Sequence, residues 1–291
     1  MWQQLKSKYN QALVYEKLMF LNIGIFAVIS IITAFFYLFT ESHINYLSNN
    51  LVLPANLKEL LFKPWTIITF FYSHFDFWHL LSNMIGLYFF GRIFITFFNA
   101  RLFLNYYILG GLFSGLIFVL SYNLFPALIS KNSSLVGASG AVFSILFGVT
   151  AKAPSYIFNF FNILRIPLWV LSSLYTILFI SSIPYANTGG ELAHLGGAFL
   201  GFYYTKQLEN GKNIGGFLEK LMDKIANFKS SKKGSLKTVH KNKSKVGGYT
   251  KGEFNQFNNQ KKIDIILDKI SKSGYDSLTA EEKEYLFKAG K

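Results

Sequence analysis

The sequence predicts an all-α membrane protein: a six-helix bundle with a polar, cytoplasmic C-terminal tail. Three observations predict it. Of 291 residues, 51% are hydrophobic and 15% charged, against about 25% charged in an average soluble domain; the mean hydropathy is +0.30. Uncharged apolar stretches recur, approaching the roughly 20 residues that a spanning helix needs. The charge is also segregated: residues 1–205 hold 10 basic and 5 acidic side chains, whereas 206–291 hold 19 and 10. This composition argues against a soluble globular enzyme. The chain has no cysteine, which removes disulfides, thiolate metal sites and a cysteine nucleophile.

Six spans are expected, at 18–39, 77–97, 103–122, 137–151, 166–183 and 191–206. The fourth and sixth are short, as for helices that begin in a cavity within the bilayer rather than in lipid. The basic flank of Lys6, Lys8 and Lys17 precedes an apolar run too long for a cleaved signal, and no small-residue cleavage site follows. The Lys/Arg bias of the loops sets orientation. With the N-terminus inside, Arg92, Arg101, Lys152, Arg165 and the basic tail are cytoplasmic, leaving Lys58, Lys63 and Lys131 outside. Composition and cysteine usage suit a bacterial inner membrane. The outer loop at 40–76 carries Pro54, Pro64, Trp65 and an apolar run too short to span, so it should pack on the bundle or dip into the interface.

This divides the chain into a cytoplasmic segment 1–17, a membrane domain 18–206, a basic flexible linker 207–260 and a small two-helix module 261–291. Residues 229–251 hold eight lysines and no acid, a solvated run placed to contact anionic lipid. No nucleic-acid recognition fold is visible. In the module, Ile263, Ile266, Leu267 and Ile270 recur at helical spacing, Ser273-Gly274 reads as a stop, and Thr279-Ala-Glu-Glu282 reads as a capping box. Two such short helices bury little core, so docking on a partner, a second copy or the membrane is expected.

Polar groups inside spans are costly and default to function. Span two opens with His79 and Asn83, on one face at i and i+4. Span four opens Gly137-Ala-Ser139-Gly140. Span six opens Glu191-Leu-Ala-His194-Leu-Gly196-Gly197. His79, Ser139 and His194 lie 13, 13 and 12 residues before the cytoplasmic cations Arg92, Lys152 and Lys206. All three therefore sit about 18–20 Å above the inner boundary. Gly140, Ser144 and Gly148 form one small-residue stripe, and Gly197 and Gly201 another, so spans four and six can touch along their backbones. That would bring Ser139 within reach of His194, an activated hydroxyl beside a general base. Ser139 opens a helix, where free N–H groups can hold an oxyanion. His79 and Asn83 could donate to the same oxyanion.

Other readings compete. A serine in a membrane helix often bonds its own i−4 carbonyl, and His79 and Asn83 could be interhelical glue. His74, Asp76 and His79 could be read as a metal site, but no His-Glu-x-x-His occurs and His74 and Asp76 fall in a loop expected near the surface, so no metal or cofactor is expected. Glu191, alone near the deep cluster, cannot form a carboxylate dyad; it reads as an outer-edge residue bonded to the loop. A transporter would show paired broken helices and internal repeats, which are not evident.

His-x-x-x-Asn in span two, Gly-x-Ser-Gly opening span four, and Ala-His with a glycine pair and G-x-x-x-G in span six together resemble the rhomboid intramembrane serine proteases. Pro64-Trp65 and the run from His74 to His79 are similar to that family's entry to its second helix. The resemblance covers about 60–205. It implies Ser139 as nucleophile and His194 as general base, a dyad without a third acid. It implies an oxyanion hole of His79, Asn83 and the Ser139 N–H, in a water-filled cavity open to the outside. Substrates would be single-span or other transmembrane proteins, cut in or near a helix. The family commonly has Tyr four residues after the nucleophile, stacked on the base; here Phe143 stands there. A catalytically inactive rhomboid-like protein that binds membrane helices for quality control is the rival reading. It predicts loss of Ser139 or His194, and both are present.

Overall fold

The computed structural model describes residues 2–40, 46–160, 164–185, 187–230, 245–246 and 249–289. It divides into two compact units, Met1–Phe228 and Lys229–Lys291.

In the first unit, α1 (Trp2–Gln11) leads into α2 (Val14–Thr40). Three short helices follow in the first loop: α3 (Tyr46–Leu51), α4 (Leu57–Phe62) and α5 (Thr66–Thr69). Then come α6 (Phe77–Phe97), α7 (Ala100–Leu124), α8 (Ser139–Lys152), α9 (Leu168–Ser182), α10 (Thr188–Glu209) and α11 (Gly216–Ser230). Val14–Phe39, Phe77–Phe97 and Ala100–Leu124 are long and apolar enough to cross a membrane. The apolar helices α8 and α9 have 14 and 15 residues, so α8 is about 21 Å long against a hydrocarbon core of roughly 30 Å. Helix α10 has 22 residues; its glycines and its Glu191, His194 and Lys206 make it less apolar than α2 and α6 to α9. It also starts three residues earlier than expected, because the Asn187 side chain caps it by accepting from the Gly190 N–H.

Helix α8 is the axle. Among its residues only Lys152 is exposed, and α10, α7 and α6 surround it while α9 touches it. Helix α2 lies at the periphery. It buries Tyr15, Leu18 and Ile29, links to α7 through the Asn22 amide donating to the Tyr107 hydroxyl at 3.1 Å, and leaves Ile31, Phe35, Leu38 and Phe39 exposed. Exposed apolar rows of this kind are stable only against lipid or a partner.

The first loop packs on the bundle. Phe70 and Phe71 are each 1% exposed and fill the space that Gly115 and Gly111 leave on α7. Strand β1 (Leu53–Pro54) pairs antiparallel with β2 (Ser134–Leu135), tying this loop to the segment before α8. A second antiparallel pair, β3 (Ile157–Phe160) with β4 (Leu164–Pro167), joins α8 to α9. The expectation of an all-α bundle missed these strands, and the expected span 166–183 began two residues too soon. Alternation explains the hairpin: Ile157 points out while Phe158 is buried against the Phe89 and Phe90 rings.

The expected linker 207–260 is also corrected. Helix α11 lies within it and packs on the first unit: Leu218 is buried, Glu219 accepts from the Asn105 amide at 2.9 Å, and Asp223 pairs with Arg101 at 3.1 Å. Much of the basic run, at 231–244 and 247–248, lies outside the described residues. In the second unit, β5 (Lys245–Val246) pairs with β6 (Tyr249–Thr250), and α12 (Lys251–Ser273) is followed by a 3-10 turn and α13 (Ala280–Ala289). Helix α12 thus starts ten residues before the expected module. It ends at Gly274, whose φ of 79° suits glycine.

Candidate active site at the mouths of α8 and α10

Two glycine-lined helix faces set the site. A Cβ on Gly197 would strike the carbonyl oxygen of Gly140, and one on Gly201 that of Ser144. The α8 and α10 backbones are therefore in direct contact, as small-residue stripes allow in membranes. Buried hydroxyls fasten the seam to α7. Ser144 Oγ donates to the Tyr106 carbonyl at 2.6 Å, Tyr106 and Thr205 share a 2.7 Å bond, and Thr205 reaches the Gly148 carbonyl at 2.8 Å. Tyr204 stacks on Tyr106 at 4.3 Å.

At the mouth of this seam Ser139 Oγ and His194 Nε2 lie 2.7 Å apart, from positions 55 residues apart in sequence. Both residues are half-buried. Ser139 is the first residue of α8, so the leading N–H groups of that helix have no intrahelical acceptor. The chain enters through Gly137, whose φ of 108° is left-handed. A Cβ there would also strike the His79 ring, so position 137 needs glycine for conformation and for closeness.

His79 therefore rests on the segment that delivers Ser139, and its ring meets that of His74 edge-on at 5.2 Å. It lies in the first turn of α6, which the Asp76 side chain caps by accepting from the His79 N–H at 2.7 Å. Asn83 is buried one turn on, and its amide donates to the His79 carbonyl at 2.8 Å. One amide hydrogen is spent on the helix and the other is not.

A Rhomboid domain model matches residues 61–209, about half of the chain. The chain belongs to the rhomboid family. It is 32% identical over 155 residues to "Rhomboid protein 1, mitochondrial" of Saccharomyces cerevisiae, covering 50% of this chain and 42% of that protein. It is 37% identical over 92 residues to "RHOMBOID-like protein 12, mitochondrial" of Arabidopsis thaliana, covering 28% of this chain and 27% of that protein. The chain thus spans less than half the length of either relative it matches. These relatives are named as mitochondrial, and they give no support to a bacterial inner membrane. A family of unknown function, DUF6576, matches residues 253–288.

In this rhomboid site, Phe143 meets His194 edge-on, with ring centroids 5.1 Å apart. A second ring was not anticipated. Phe179 of α9 lies 4.9 Å from the His194 ring and 4.7 Å from Phe143, so the three rings form one mutually packed cluster. His74 was expected near the surface, yet it is fully buried, and its Nε2 accepts the Ala138 N–H at 3.3 Å. Burial, then the charge of His79, pushes the His74 imidazole down to about 4. It therefore stays neutral at physiological pH and keeps an acceptor nitrogen, which braces the residue before Ser139. Glu191 was expected to bond only the loop, but its Oε2 lies 3.4 Å from His194 Nδ1. Its i, i+3 spacing was the available signal. Among the described residues, no three His, Asp or Glu side chains gather in a way that could hold a metal ion.

Proposed function

We propose that this protein is an intramembrane serine endopeptidase that hydrolyses peptide bonds in or near transmembrane segments of other membrane proteins. Rhomboid proteins are generally intramembrane serine proteases. One observation carries the reading for this chain: the 2.7 Å contact between Ser139 Oγ and His194 Nε2 across two backbone-packed helices. His194 takes the hydroxyl proton as Ser139 attacks the scissile carbonyl. The Ser139 oxygen then bonds to that carbon, and the proton passes to the leaving amine. A water repeats the sequence to release the acid. The Ser139 N–H, His79 and the free amide hydrogen of Asn83 stabilise the carbonyl oxygen as it gains negative charge.

The architecture we propose has six spans, α2 and α6 to α10, with both termini cytoplasmic and the site below the outer surface. Partners in this reading are transmembrane substrates, the surrounding bilayer and anionic lipid at the basic run. The retained Ser–His contact speaks against the inactive helix-binding reading.

The test is cleavage of a labelled single-span membrane protein by the purified full chain in liposomes. Ser139→Ala and His194→Ala each abolish cleavage, a fall of at least about 1000-fold. A fluorophosphonate probe attaches at Ser139. Cleavage by both variants at the parent rate refutes the assignment.

A further inference from the structure

We propose that Glu191 is a positioning residue for His194: its carboxylate receives the Nδ1–H and so fixes the tautomer whose Nε2 can take the Ser139 proton. The inference rests on the endopeptidase reading above. It goes beyond the two-residue machinery that the family resemblance implies, because it adds an acid as a third member.

The geometry is local and specific. His194 presents Nε2 to Ser139 at 2.7 Å and Nδ1 to Glu191 Oε2 at 3.4 Å, so its two ring nitrogens face opposite partners. A neutral imidazole carries one N–H and one lone pair, and the group bonded to one nitrogen decides which nitrogen accepts at the other. A carboxylate can only accept. It therefore holds the proton on Nδ1 and leaves the Nε2 lone pair toward the hydroxyl. The 3.4 Å separation is long for a hydrogen bond, but such bonds in unliganded sites often tighten when the reacting molecule is bound.

The surroundings leave Nδ1 few alternatives. Phe143 and Phe179 pack against each other and against the His194 ring, and neither offers a hydrogen-bond partner. The side chains of His194 and Glu191 are only 22% and 18% exposed, so protein covers most of the pair. Glu191 is in the first turn of α10, where the helix dipole favours negative charge. It lies one turn from His194 on the same helix, so the pair does not depend on a mobile loop.

A merely structural Glu191 would support the start of α10 without touching the nucleophile's reactivity, and the test separates the two roles. The full chain is reconstituted in liposomes and labelled with a fluorophosphonate, which forms an Oγ–P bond at Ser139 and releases fluoride. The maximal labelling rate and the probe's half-saturating concentration are measured separately. Glu191→Ala lowers the maximal rate at least tenfold and leaves half-saturation unchanged, while Glu191→Asp recovers part of the loss. In ¹⁵N-histidine-labelled protein, the His194 Nδ1–H signal of the parent weakens in Glu191→Ala and persists in Glu191→Asp. Maximal rates within twofold of the parent in Glu191→Ala overturn the inference. So does a loss of rate with an unaltered His194 tautomer. Labelling of Ser139→Ala at the parent rate instead overturns the nucleophile assignment itself, and this inference with it.

Discussion

The molecule holds helices together in two different ways. Along α8 and α10, glycines let one backbone rest on the carbonyls of the other, and buried hydroxyls complete the fit. Between α12 and α13 the polar contacts are at the surface, with only Ile266 of α12 and Leu278 before α13 buried among the described residues of the module. Lys269 pairs with Glu282 at 2.8 Å, Tyr285 donates to Asn259 at 3.0 Å, and Lys262 lies 5.6 Å from the Tyr285 ring. In the architecture proposed above, the solvents account for the difference. In lipid, burying apolar surface brings helices no closer, so shape and directed hydrogen bonds must do so. In water, a short helix pair with little core relies on caps and ion pairs worth little each. The first device fixes half-buried side chains from two helices at one point, whereas the second joins side chains at the surface.

The largest expected effect comes from breaking the first device. Gly197→Val forces a branched side chain into the Gly140 carbonyl, and the α8 and α10 backbones must separate. A displacement near 1 Å in a reacting pair can cost about 100-fold in rate. We expect fluorophosphonate labelling of Ser139 to fall by at least that factor, with a lower melting temperature in detergent. The exposed Leu221→Val on α11 serves as the control for a branched side chain placed away from the seam. Labelling of Gly197→Val within threefold of the parent would show that the seam does not set the Ser139–His194 distance.

The same contrast explains what could be read from sequence. A backbone contact requires small residues at fixed spacing, so the stripe Gly140, Ser144, Gly148 and the Gly197, Gly201 pair announced the seam. The costly polar groups His79, Asn83, Ser139 and His194 announced its mouth. The caps were equally legible: Thr279 and Glu282 form their reciprocal box at 2.8 and 3.3 Å. Phe179 was not legible, because one aromatic side chain among many apolar neighbours on α9 carries no mark of which ring it meets. The burial of His74 was hidden for a related reason. Its loop looks exposed until Phe70 and Phe71 are seen filling the glycine gaps on α7. The strands at 157–160 and 164–167 were missed because each is only four residues long, and helix α11 because it is amphipathic and polar where the spans are predominantly apolar.

A smaller effect is expected where the second device is broken. Thr279→Ala removes the acceptor for the Glu282 N–H at the start of α13. Loss of such a cap costs about 1 kcal/mol, which should raise amide exchange across α13 roughly fivefold while leaving Ser139 labelling at the parent rate. Equal exchange in variant and parent would mean that the box contributes nothing to the helix. A drop in labelling would couple the module to the site.

The smallest effect concerns charge alone. The Lys269 ammonium and the Thr279 N–H hold the Glu282 carboxyl below its ordinary value of 4.5. Because its folded value is depressed, the stabilisation is present above about 4.5 and is lost as pH falls through the lower folded value. Acid should therefore loosen α13 gradually below that point, and salt should weaken the same pair by screening. The glycine contacts of the α8–α10 seam carry no charge and should be indifferent to both. Amide exchange measured between pH 6 and 3, at low and high salt and corrected for its intrinsic pH dependence, separates the two regions. Protection in α13 falls toward acid, and in Glu282→Gln it is already reduced at pH 6 and varies less over this range, the remainder coming from the exposed Glu284–Lys288 pair. Protection in the glycine-lined part of α8 stays constant throughout, away from the Lys152–Glu209 pair at its last turn. Parallel loss in both helices would mean that a single cooperative unit unfolds, and that the two ways of holding helices together are not independent.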